Sequence, residues 1–454
     1  MANTVLWFGA ALLPDGWADN VRLTLEGGKI LRVETGVAAG AGDERHAIAI
    51  PGLSNLHSHA FQRGMAGLAE RRGPDGDNFW TWREVMYRFL DRLGPEDVEA
   101  ITAQAYVEML ENGFTRVGEF HYLHHAPDGA PYANPAELAE RVAAAAEETG
   151  IALTLLPVFY AHANFGGVPP VPGQRRFINS VDAFAKLMAA SRYAIAALPD
   201  SRIGVAPHSL RAVSAEELPA VIALAEGGPV HIHAAEQVKE VDDCVAWSGA
   251  RPVEWLLDQA DVDGRWCLVH ATHLTEAETL RLARSGAVAG LCPVTEANLG
   301  DGVFPAGGYL AAGGAFGVGT DSNILIDPAA ELRALEYAQR LTARARNVLA
   351  PAPGRSTGRE LFDRALAGGG QALAAGPAGL RPGVAADLLS FDLRHPALAG
   401  RTADSAVDSW IFAGYRGTVD CVWRHGRKLV ENGRHHAREA VAARYRETMG
   451  RLLG

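Results

Sequence analysis

Short apolar runs alternate along the chain with longer segments of helical spacing. Eight runs rich in β-branched and apolar residues are typical of strands, and most are followed by a helix-like segment. Strands that alternate with helices pair in parallel through right-handed crossovers, and eight of them match a closed (β/α)8 barrel. The runs are "AIAIPGLSNLH" from residue 47, "TRVGEFHYL" from 115, "ALTLLPVFY" from 152, "RIGVAPHSL" from 202, "PVHIHAAE" from 229, "WCLVHATH" from 266, "VAGLCPVTE" from 288 and "AFGVGTDSN" from 315.

The two ends of the chain show a different pattern. Residues 1–50 and 380–454 contain short alternating strands, with turn pairs at Gly27-Gly28 and Asn432-Gly433. We expect both ends to combine into one small β-sandwich domain. The predicted fold class is therefore α/β, a TIM barrel of residues 51–379 with this composite domain beside it.

The connections between the predicted strands include one clear helix and two long insertions. The helix covers residues 95–112, because it starts with proline, has acids in its first turn and is followed by Gly113. The insertions are residues 60–93 and 161–180. Loops of this length in a compact barrel usually have a function, so both are predicted to cover the site. Arg175 and Arg176 in the second loop either add charge there or are solvated.

Composition narrows the classes of partner. The net charge of -11 disfavours nucleic acid and anionic membranes, which need a basic surface. An anionic small molecule would need a local cationic pocket.

The N-terminus lacks the pattern of a signal peptide, and the apolar runs are shorter than a membrane span. These features predict a cytoplasmic protein, and a homodimer is expected as the commonest assembly. The cysteines form no C-x-x-C pair and are predicted to be buried thiols.

Polar residues concentrate at the C-terminal ends of the predicted strands, where barrel enzymes carry their catalytic groups. A single histidine there would be an ordinary hydrogen-bonded core residue. Polar groups at the ends of five strands instead predict a shared site, and two histidines one residue apart on a strand point to the same side. The residues are His57 and His59 after strand one, His208 and Arg211 after strand four, His231, His233 and Glu236 after strand five, His270 and His273 after strand six, and Asp321 after strand eight.

These motifs resemble the amidohydrolase superfamily over nearly the whole chain. The H-x-H of strand one, "HAAE" of strand five, "VHATH" of strand six and "GTDSN" of strand eight follow the order that the superfamily uses. The resemblance places His231 outside the ligand set, and we assign His273 and the pair His124-His125 structural roles. The resemblance implies His57, His59, His233 and Asp321 as metal ligands and Glu236, His270 and Asp321 as catalytic residues.

The chemistry of this donor set agrees with the resemblance. Three imidazoles and one carboxylate suit Zn²⁺, or Fe²⁺, with one position open for water. A second metal would usually need a lysine at a strand end, and Lys29, Lys186, Lys239 and Lys428 lie elsewhere, so one divalent metal is expected. Glu236 or Asp321 is predicted to take a proton from the attacking water. Glu236 is then predicted to protonate the leaving nitrogen while His270 stabilises the tetrahedral species.

H-x-H together with H-x-x-E indicates the deaminase branch of the superfamily. The segments "FQRGMAGLAERR", "FWTWREVMYRFLDRL" and "PHSLRAV" resemble the formimidoylglutamate deiminases, which convert N-formimino-L-glutamate to N-formyl-L-glutamate and ammonia in histidine degradation. Two arginines suit a small-molecule dicarboxylate, because arginine can clamp a carboxylate through two hydrogen bonds. Which donor binds which group stays open. The resemblance implies Gln62, Arg83, Tyr122, His208 and Arg211 as substrate contacts.

Several alternatives remain open at this point. Arg83 is either a substrate contact or a surface ion pair with Glu84 or Asp91, and Tyr122 is either a substrate contact or core. Glu236 is either catalytic or a solvated carboxylate at a helix N-terminus. The same metal site would also serve a deaminase of guanine, cytosine or an adenosine-like nucleoside, stacked on the aromatic residues 79, 80 and 82. A metal-free amidohydrolase-like scaffold protein is the alternative of another class.

Overall fold

The computed structural model describes residues 4–74 and 76–454. Two 3-10 helices cover Ala60–Met65 and Pro172–Gln174. The strands are β1 (Thr4–Leu13), β2 (Gly16–Glu26), β3 (Lys29–Glu34), β4 (Glu44–Pro51), β5 (Leu53–Ser58), β6 (Phe114–His121), β7 (Ala152–Phe159), β8 (Arg202–Ile203), β9 (Ala206–Pro207), β10 (Val230–Ala234), β11 (Trp266–His270), β12 (Val288–Leu291), β13 (Ala315–Val318), β14 (Leu388–Phe391), β15 (Val419–Arg424), β16 (Arg427–Glu431) and β17 (Arg434–His435). The α-helices are α1 (Phe79–Leu90), α2 (Pro95–Asn112), α3 (Glu137–Thr149), α4 (Val181–Ile195), α5 (Glu217–Ala223), α6 (Val238–Ser248), α7 (Pro252–Gln259), α8 (Glu276–Ser285), α9 (Pro293–Leu299), α10 (Ala306–Ala311), α11 (Pro328–Ala343), α12 (Thr357–Ala372), α13 (Asp404–Ala413) and α14 (Arg438–Leu453).

Strands β5 to β13 form the predicted barrel. They pair in parallel in two runs, β5 to β8 with β9 beside β7, and β10 to β13. Parallel bridges between Val205 and Val230 and between Ser58 and Asp321 join the two runs on both sides. The alternation of strands and helices thus becomes a closed α/β barrel, as predicted. The fourth predicted strand is present as two short pieces, β8 and β9.

Strands from both ends of the chain form one sheet, in the order β17-β16-β15-β14-β4-β1-β2-β3. The sheet curls around its own core. The backbone N–H of Ile30 in β3 donates to Val384 O, just before β14, at 3.0 Å. Phe8 of β1 packs on Trp423 of β15. Gly28 in the β2–β3 turn lies against the His425 ring, where a Cβ would overlap it. The pairing of the two ends was predicted, but the strands form one continuous sheet where a two-sheet sandwich was expected.

The border between sheet and barrel falls inside the first predicted strand. That run contains two strands, β4 in the terminal sheet and β5 in the barrel, separated by Gly52. A Cβ at Gly52 would lie 2.3 Å from Thr115 in β6, so the close approach of this junction to β6 requires glycine. The C-terminal region also contains α13 and α14, which the strand pattern did not predict. Ion pairs such as Arg444 with Glu148 hold α14 against the barrel helices.

Local predictions of helix and turn are also confirmed. Helix α2 covers the predicted residues 95–112, and Gly113 ends it with a φ of 103°. The turn pairs Gly27-Gly28 and Asn432-Gly433 connect β2 to β3 and β16 to β17. All four cysteines are buried free thiols.

Among the residues that the structure describes, none of the helices has both the length and the apolar character needed to span a membrane.

The first long insertion covers the barrel at the end where the strands terminate. It contains the first 3-10 helix and α1, whose N-cap Asn78 accepts hydrogen bonds from the backbone of Trp80 (2.9 Å) and Thr81 (3.3 Å). The second insertion is held by its arginines. Arg175 donates to Pro127 O and pairs with Asp91, and buried Arg176 donates to His125 O. The two arginines therefore bind the loop to its neighbours and do not line the site cavity.

Candidate active site

Four side chains converge at the C-terminal ends of strands β5, β10 and β13. One donor atom from each of His57, His59, His233 and Asp321 lies within 4.8 Å of the others, and all four residues are buried. Asp321 Oδ1 is 3.3 Å from His57 Nε2 and 3.2 Å from His59 Nε2. His233 Nε2 is 3.1 Å from His57 Nε2. The structure thus brings together the four residues that the sequence motifs predicted as ligands.

Backbone pairing across the closure of the barrel sets the position of Asp321. Its N–H donates to His57 O at 2.9 Å, and its carbonyl accepts from His59 N at 2.9 Å. Asp321 has a φ of 44°, a left-handed conformation that is strained for a residue with a side chain. The neighbouring barrel strands maintain this conformation, which turns the carboxylate toward the histidines.

A buried network of amide and hydroxyl groups supports this closure. Asn323 donates through Nδ2 to Ser58 Oγ, His59 O and Asp321 O, each at 3.1 Å. Thr320 links it to strand β5, because the Thr320 hydroxyl donates to Asn323 Oδ1 (2.6 Å) and accepts from Asn55 Nδ2 (2.7 Å). Fully paired buried networks of this kind make a site rigid.

Hydrogen bonds of the imidazole nitrogens that point away from the cluster show that the cluster fits a metal ion. The Nδ1–H of His59 donates to Phe120 O (2.9 Å), and that of His233 donates to His208 O (3.0 Å). Both Nε2 atoms therefore carry lone pairs directed at the cluster. The Nε2 atoms of His57 and His233 face each other at 3.1 Å, an arrangement that a shared cation stabilises. His57 Nδ1 is buried without a partner in the described structure.

The protonation states of the cluster residues favour the binding of a cation. Burial lowers the pKa of His57 to about 3, so its imidazole is neutral at physiological pH. Burial also holds the pKa of His233 well below its ordinary value. Burial opposes ionisation of Asp321, but the adjacent imidazoles of His57 and His59 outweigh it and hold the pKa of the carboxyl group well below the ordinary range. Neutral imidazoles and an ionised carboxylate are the states that bind metal.

Glu236 and His270 stand beside this cluster. Glu236 Oε1 is 3.9 Å from His270 Nε2, and Oε2 is 3.8 Å from the Arg211 guanidinium. Burial raises the pKa of Glu236 to about 7, against the positive charges of His270 and Arg211. The carboxyl group can therefore accept and return a proton near neutral pH. The alternative of a solvated carboxylate is wrong, because the residue is 4% exposed.

His270 is oriented by a residue that no motif marks. Its Nδ1 lies 3.2 Å from Glu296 Oε1 in α9, which directs Nε2 toward Glu236. Burial alone would lower the pKa of His270, but the charge of Glu236 and the hydrogen bond to Glu296 raise it to about 10. A protonated imidazole at this place can donate a hydrogen bond to a developing negative charge.

A cavity opens above the cluster toward α1. Aromatic side chains such as Phe79 and Trp82 form part of its wall. All the predicted site residues except His57 line it, namely His59, Gln62, Arg83, Tyr122, His208, Arg211, His233, Glu236, His270 and Asp321. The residues predicted for chemistry and for substrate contact thus share one space.

Arg83 on α1 and Arg211 on the segment after β9 both line the cavity. In residues 4–74 and 76–454, Arg83 forms no ion pair, and Asp91 pairs with Arg175 at 2.6 Å. The surface ion pair considered for Arg83 is therefore wrong. The Nε atoms of both arginines are buried without a hydrogen-bond partner among the described residues. Buried donors of this kind usually meet a ligand or ordered water.

The remaining predicted contacts lie between the arginines and the cluster. Gln62 Nε2 donates to the Tyr122 hydroxyl at 2.8 Å, and Gln62 Oε1 is buried without a partner in the described structure. The Tyr122 hydroxyl also donates to the Met86 sulfur. His208 packs on the Tyr160 and His233 rings, and burial holds its pKa well below the ordinary value. It is therefore a neutral hydrogen-bonding group.

Three of the other histidines noted in the sequence have backbone partners, and the fourth lies outside the cavity. His231 lies below the cluster, where its Nε2 donates to Ala372 O at 2.8 Å. His124 and His125 donate to the carbonyls of Val158 and Ile178, each at 2.9 Å. His273 lies near Gly302, away from the cavity lining.

Sequence reasoning missed the residues that hold the site in place. They are Asn55 and Asn323 at the barrel closure, Glu296 behind His270, and Glu240, which accepts from the backbone of Glu236 at 3.0 Å. The only local indication was the "GTDSN" segment, where Asn323 follows Asp321 by two residues. The partners of Asn55 and Glu296 are distant in sequence, and no motif marks Glu240, although it follows Glu236 by four residues.

Comparisons with known proteins agree with this geometry. Residues 48–429 match the model of the amidohydrolase family, and residues 3–47 match that of the N-terminal domain of formimidoylglutamate deiminase HutF. A formimidoylglutamate deiminase from Pseudomonas aeruginosa is 51% identical over 98% of this chain and 98% of its own length. A 5-methylthioadenosine/S-adenosylhomocysteine deaminase from Natronomonas pharaonis is 31% identical over 82% and 80%.

Solved structures show the same relationship. The crystal structure of an amidohydrolase from Brucella melitensis has a TM-score of 0.96 at 56% identity, and the match covers 99% of this chain and 100% of that one. An adenosine deaminase from Xanthomonas campestris with bound zinc shares the fold, with a TM-score of 0.83 at 24% identity over 99% and 98% of the two chains. The chain belongs to the amidohydrolase family and, within it, to the formimidoylglutamate deiminase group.

Proposed function

We propose that the protein hydrolyses N-formimino-L-glutamate to N-formyl-L-glutamate and ammonia with the help of one divalent metal ion, most simply Zn²⁺. The observation that carries this proposal is the pairing, in one cavity, of a metal-type donor cluster with two arginines whose Nε atoms lack partners in the described structure. The 51% identity to the Pseudomonas aeruginosa enzyme supports the same substrate.

His57, His59, His233 and Asp321 would hold the metal. Three imidazoles and one carboxylate suit Zn²⁺, and Fe²⁺ is the alternative. When bound, such an ion lowers the pKa of a coordinated water and polarises the carbon–nitrogen bond of the substrate. No lysine lines the described cavity, so we propose a single ion.

Glu236 and His270 would carry out the proton chemistry. Ionised Glu236 takes a proton from the attacking water, and Asp321 is the second carboxylate in reach. The oxygen of that water bonds to the formimino carbon and forms a tetrahedral intermediate. His270 stabilises its negative charge through Nε2. Glu236 then gives this proton to the terminal formimino nitrogen. The proton of the remaining hydroxyl passes to the same nitrogen through Glu236 or Asp321, the carbon–nitrogen bond breaks, and N-formyl-L-glutamate and ammonia form.

Arg83 and Arg211 would bind the two carboxylates of the substrate. Each can present two N–H groups to one carboxylate, which gives orientation as well as affinity. Gln62, Tyr122 and His208 lie between the arginines and the metal cluster and would contact the formimino group or the nearer carboxylate. These contacts give a protein of net charge -11 the local cationic pocket that an anionic substrate needs.

The rival substrate class is a purine or pyrimidine base. Phe79 and Trp82 line the cavity and offer faces for stacking. A neutral base would leave Arg83 without a charged partner and Arg211 with only Glu236 at 3.8 Å, which costs free energy in a buried site. The dicarboxylate is therefore the better match. A metal-free scaffold role is disfavoured because all four ligand positions are filled and converge.

Ammonia release by the zinc-loaded protein tests the proposal directly. The panel is N-formimino-L-glutamate, N-formimino-L-aspartate, guanine, cytosine and adenosine, and the control is the same protein after chelation. Selective, metal-dependent release from N-formimino-L-glutamate is expected. Release from a base alone would overturn the substrate, and equal activity after chelation would overturn the metal. The expectations of a cytoplasmic location and of a homodimer remain predictions.

A further inference from the structure

Trp80 is the shared neighbour of three cations at the mouth of the cavity. The Cζ atom of Arg83 lies 4.7 Å from the centre of the Trp80 rings, and that of Arg211 lies 5.7 Å away. Lys239 Nζ in α6 lies 5.8 Å from the same centre. The negative face of an indole attracts cations at these distances. One side chain thus connects three separate elements of the fold.

Trp80 differs from its neighbours because it does not line the cavity. Phe79 and Trp82 do line it, as do Arg83 and Arg211. Trp80 therefore acts on a bound ligand only through the two arginines. A guanidinium group that packs its flat face on a ring keeps the N–H groups along its edge free for a carboxylate.

The charges at the mouth explain why such a neighbour is needed. Two guanidinium groups that share a partly desolvated space repel each other. Arg211 has Glu236 at 3.8 Å, but Arg83 forms no ion pair within the part of the chain that the structure describes. Lys239 already pairs with Asp243 at 2.6 Å. The indole is thus the contact that the two arginines have in common.

The position of the Trp80 ring is itself fixed by local structure. Its backbone N–H donates to the N-cap Asn78 Oδ1 at 2.9 Å, at the start of α1. The Phe79 and Trp80 rings are perpendicular, with centres 5.0 Å apart. Arg83 follows on the same helix, one turn later. The start of α1 therefore sets the distance between the indole and Arg83.

We propose that Trp80 is a positioning residue that fixes the spacing of Arg83 and Arg211 and thereby makes the site select substrates with two carboxylates. This inference rests on the proposed function, because the arginines are taken to bind the substrate carboxylates. A substrate with one carboxylate uses only one of the arginines, so it gains little from their spacing.

The test compares Trp80→Leu and Trp80→Phe with the wild-type protein on N-formimino-L-glutamate and on N-formiminoglycine, which has one carboxylate. For Trp80→Leu we expect KM for N-formimino-L-glutamate to rise about tenfold, with kcat within about twofold. KM for N-formiminoglycine should change much less. Trp80→Phe should be intermediate, because phenylalanine keeps a smaller aromatic face. Trp247→Leu is the matched control, because Trp247 contacts Phe165 and Trp255.

A double-mutant cycle with Arg83→Met separates positioning from general structural damage. With Arg83 absent there is no spacing left to fix, so Trp80→Leu should raise KM for N-formimino-L-glutamate much less in the Arg83→Met background. Equal increases of KM for both substrates, a full effect in that background, or a wild-type KM in Trp80→Leu would overturn the inference.

The binding of N-formyl-L-glutamate to the zinc-loaded protein, measured by calorimetry, distinguishes a failure of the proposed function from a failure of the role of Trp80. If the wild-type protein neither binds this dicarboxylate nor releases ammonia from N-formimino-L-glutamate, the proposed function fails. If the wild-type protein does both and Trp80→Leu binds equally well, only the role of Trp80 fails. A weaker Kd for Trp80→Leu, with Trp80→Phe in between, supports it.

Discussion

The floor of the cavity, formed by the four candidate metal ligands with Glu236 and His270, is held differently from its mouth, formed by Arg83, Arg211 and Trp80. At the floor, backbone carbonyls accept from His59 and His233, and Asn323 binds the strand ends together. At the mouth, aromatic rings hold the arginines, and their Nε atoms find no partner among the described residues.

This difference indicates which part of the site serves which purpose. A water molecule can be activated only if the donor atoms are placed before the substrate arrives, and paired buried groups provide that rigidity. A substrate is recognised by groups that are still free to bind it. The floor therefore suits the activation of water, and we infer that the mouth selects the substrate. The floor lies on barrel strands, whereas Arg83 and Trp80 lie in the first insertion.

Glu236→Gln should have the largest effect and should separate the two regions most sharply. The amide cannot take or return a proton, so we expect kcat to fall by about 10²- to 10⁴-fold. KM and metal content should stay close to wild type, because the mouth and the ligands are intact. Steady-state kinetics with metal analysis checks this, and near-normal kcat would remove Glu236 from the chemistry.

Arg211→Met should affect the mouth and spare the floor. Loss of a charged hydrogen-bonding partner for a carboxylate should raise KM for N-formimino-L-glutamate about 10- to 100-fold, with a much smaller change in kcat. Arg284→Met, which replaces an exposed arginine of α8, is the control. If Arg211→Met and the control give the same KM, the carboxylate does not bind there.

The pH dependence of the activity should reflect the ionisation of Glu236 in the floor. Burial raises the pKa of Glu236 to about 7, and the ionised form is the base. Activity should therefore increase with pH through that pKa and fall about tenfold per unit below it. A bound cation favours the carboxylate, so the acid limb should lie at or below pH 7. A kcat/KM that stays constant from pH 5 to 8 would contradict the assignment.

Asn323→Ala should give the smallest effect and should test the rigidity of the floor. Its removal leaves the carbonyls of His59 and Asp321 without one donor, and the expected loss in the free energy of unfolding is about 1–3 kcal/mol. Denaturant titration measures this, with Asn298→Ala, at an exposed position, as the control. An unchanged stability together with unchanged zinc affinity would show that the closure does not depend on Asn323.

The sequence by itself determined the barrel and the principal residues of its floor. Parallel strands bring their C-terminal ends to one face, so polar residues such as His57, His233 and Asp321 could be placed together without knowing any contact. The same reasoning identified the ends of the chain as a shared β unit. These predictions succeeded because they depend on periodicity and strand order, which are local properties of the sequence.

Only the tertiary structure decided what holds these residues. Asn323 contacts Ser58 across 265 residues, Glu296 meets His270 from another element, and Trp80 joins α1 to Arg211 and Lys239. It also decided that the terminal strands form one curled sheet and that α14 packs on the barrel. Such contacts depend on how separate elements pack, and the spacing of residues along one segment does not determine that packing.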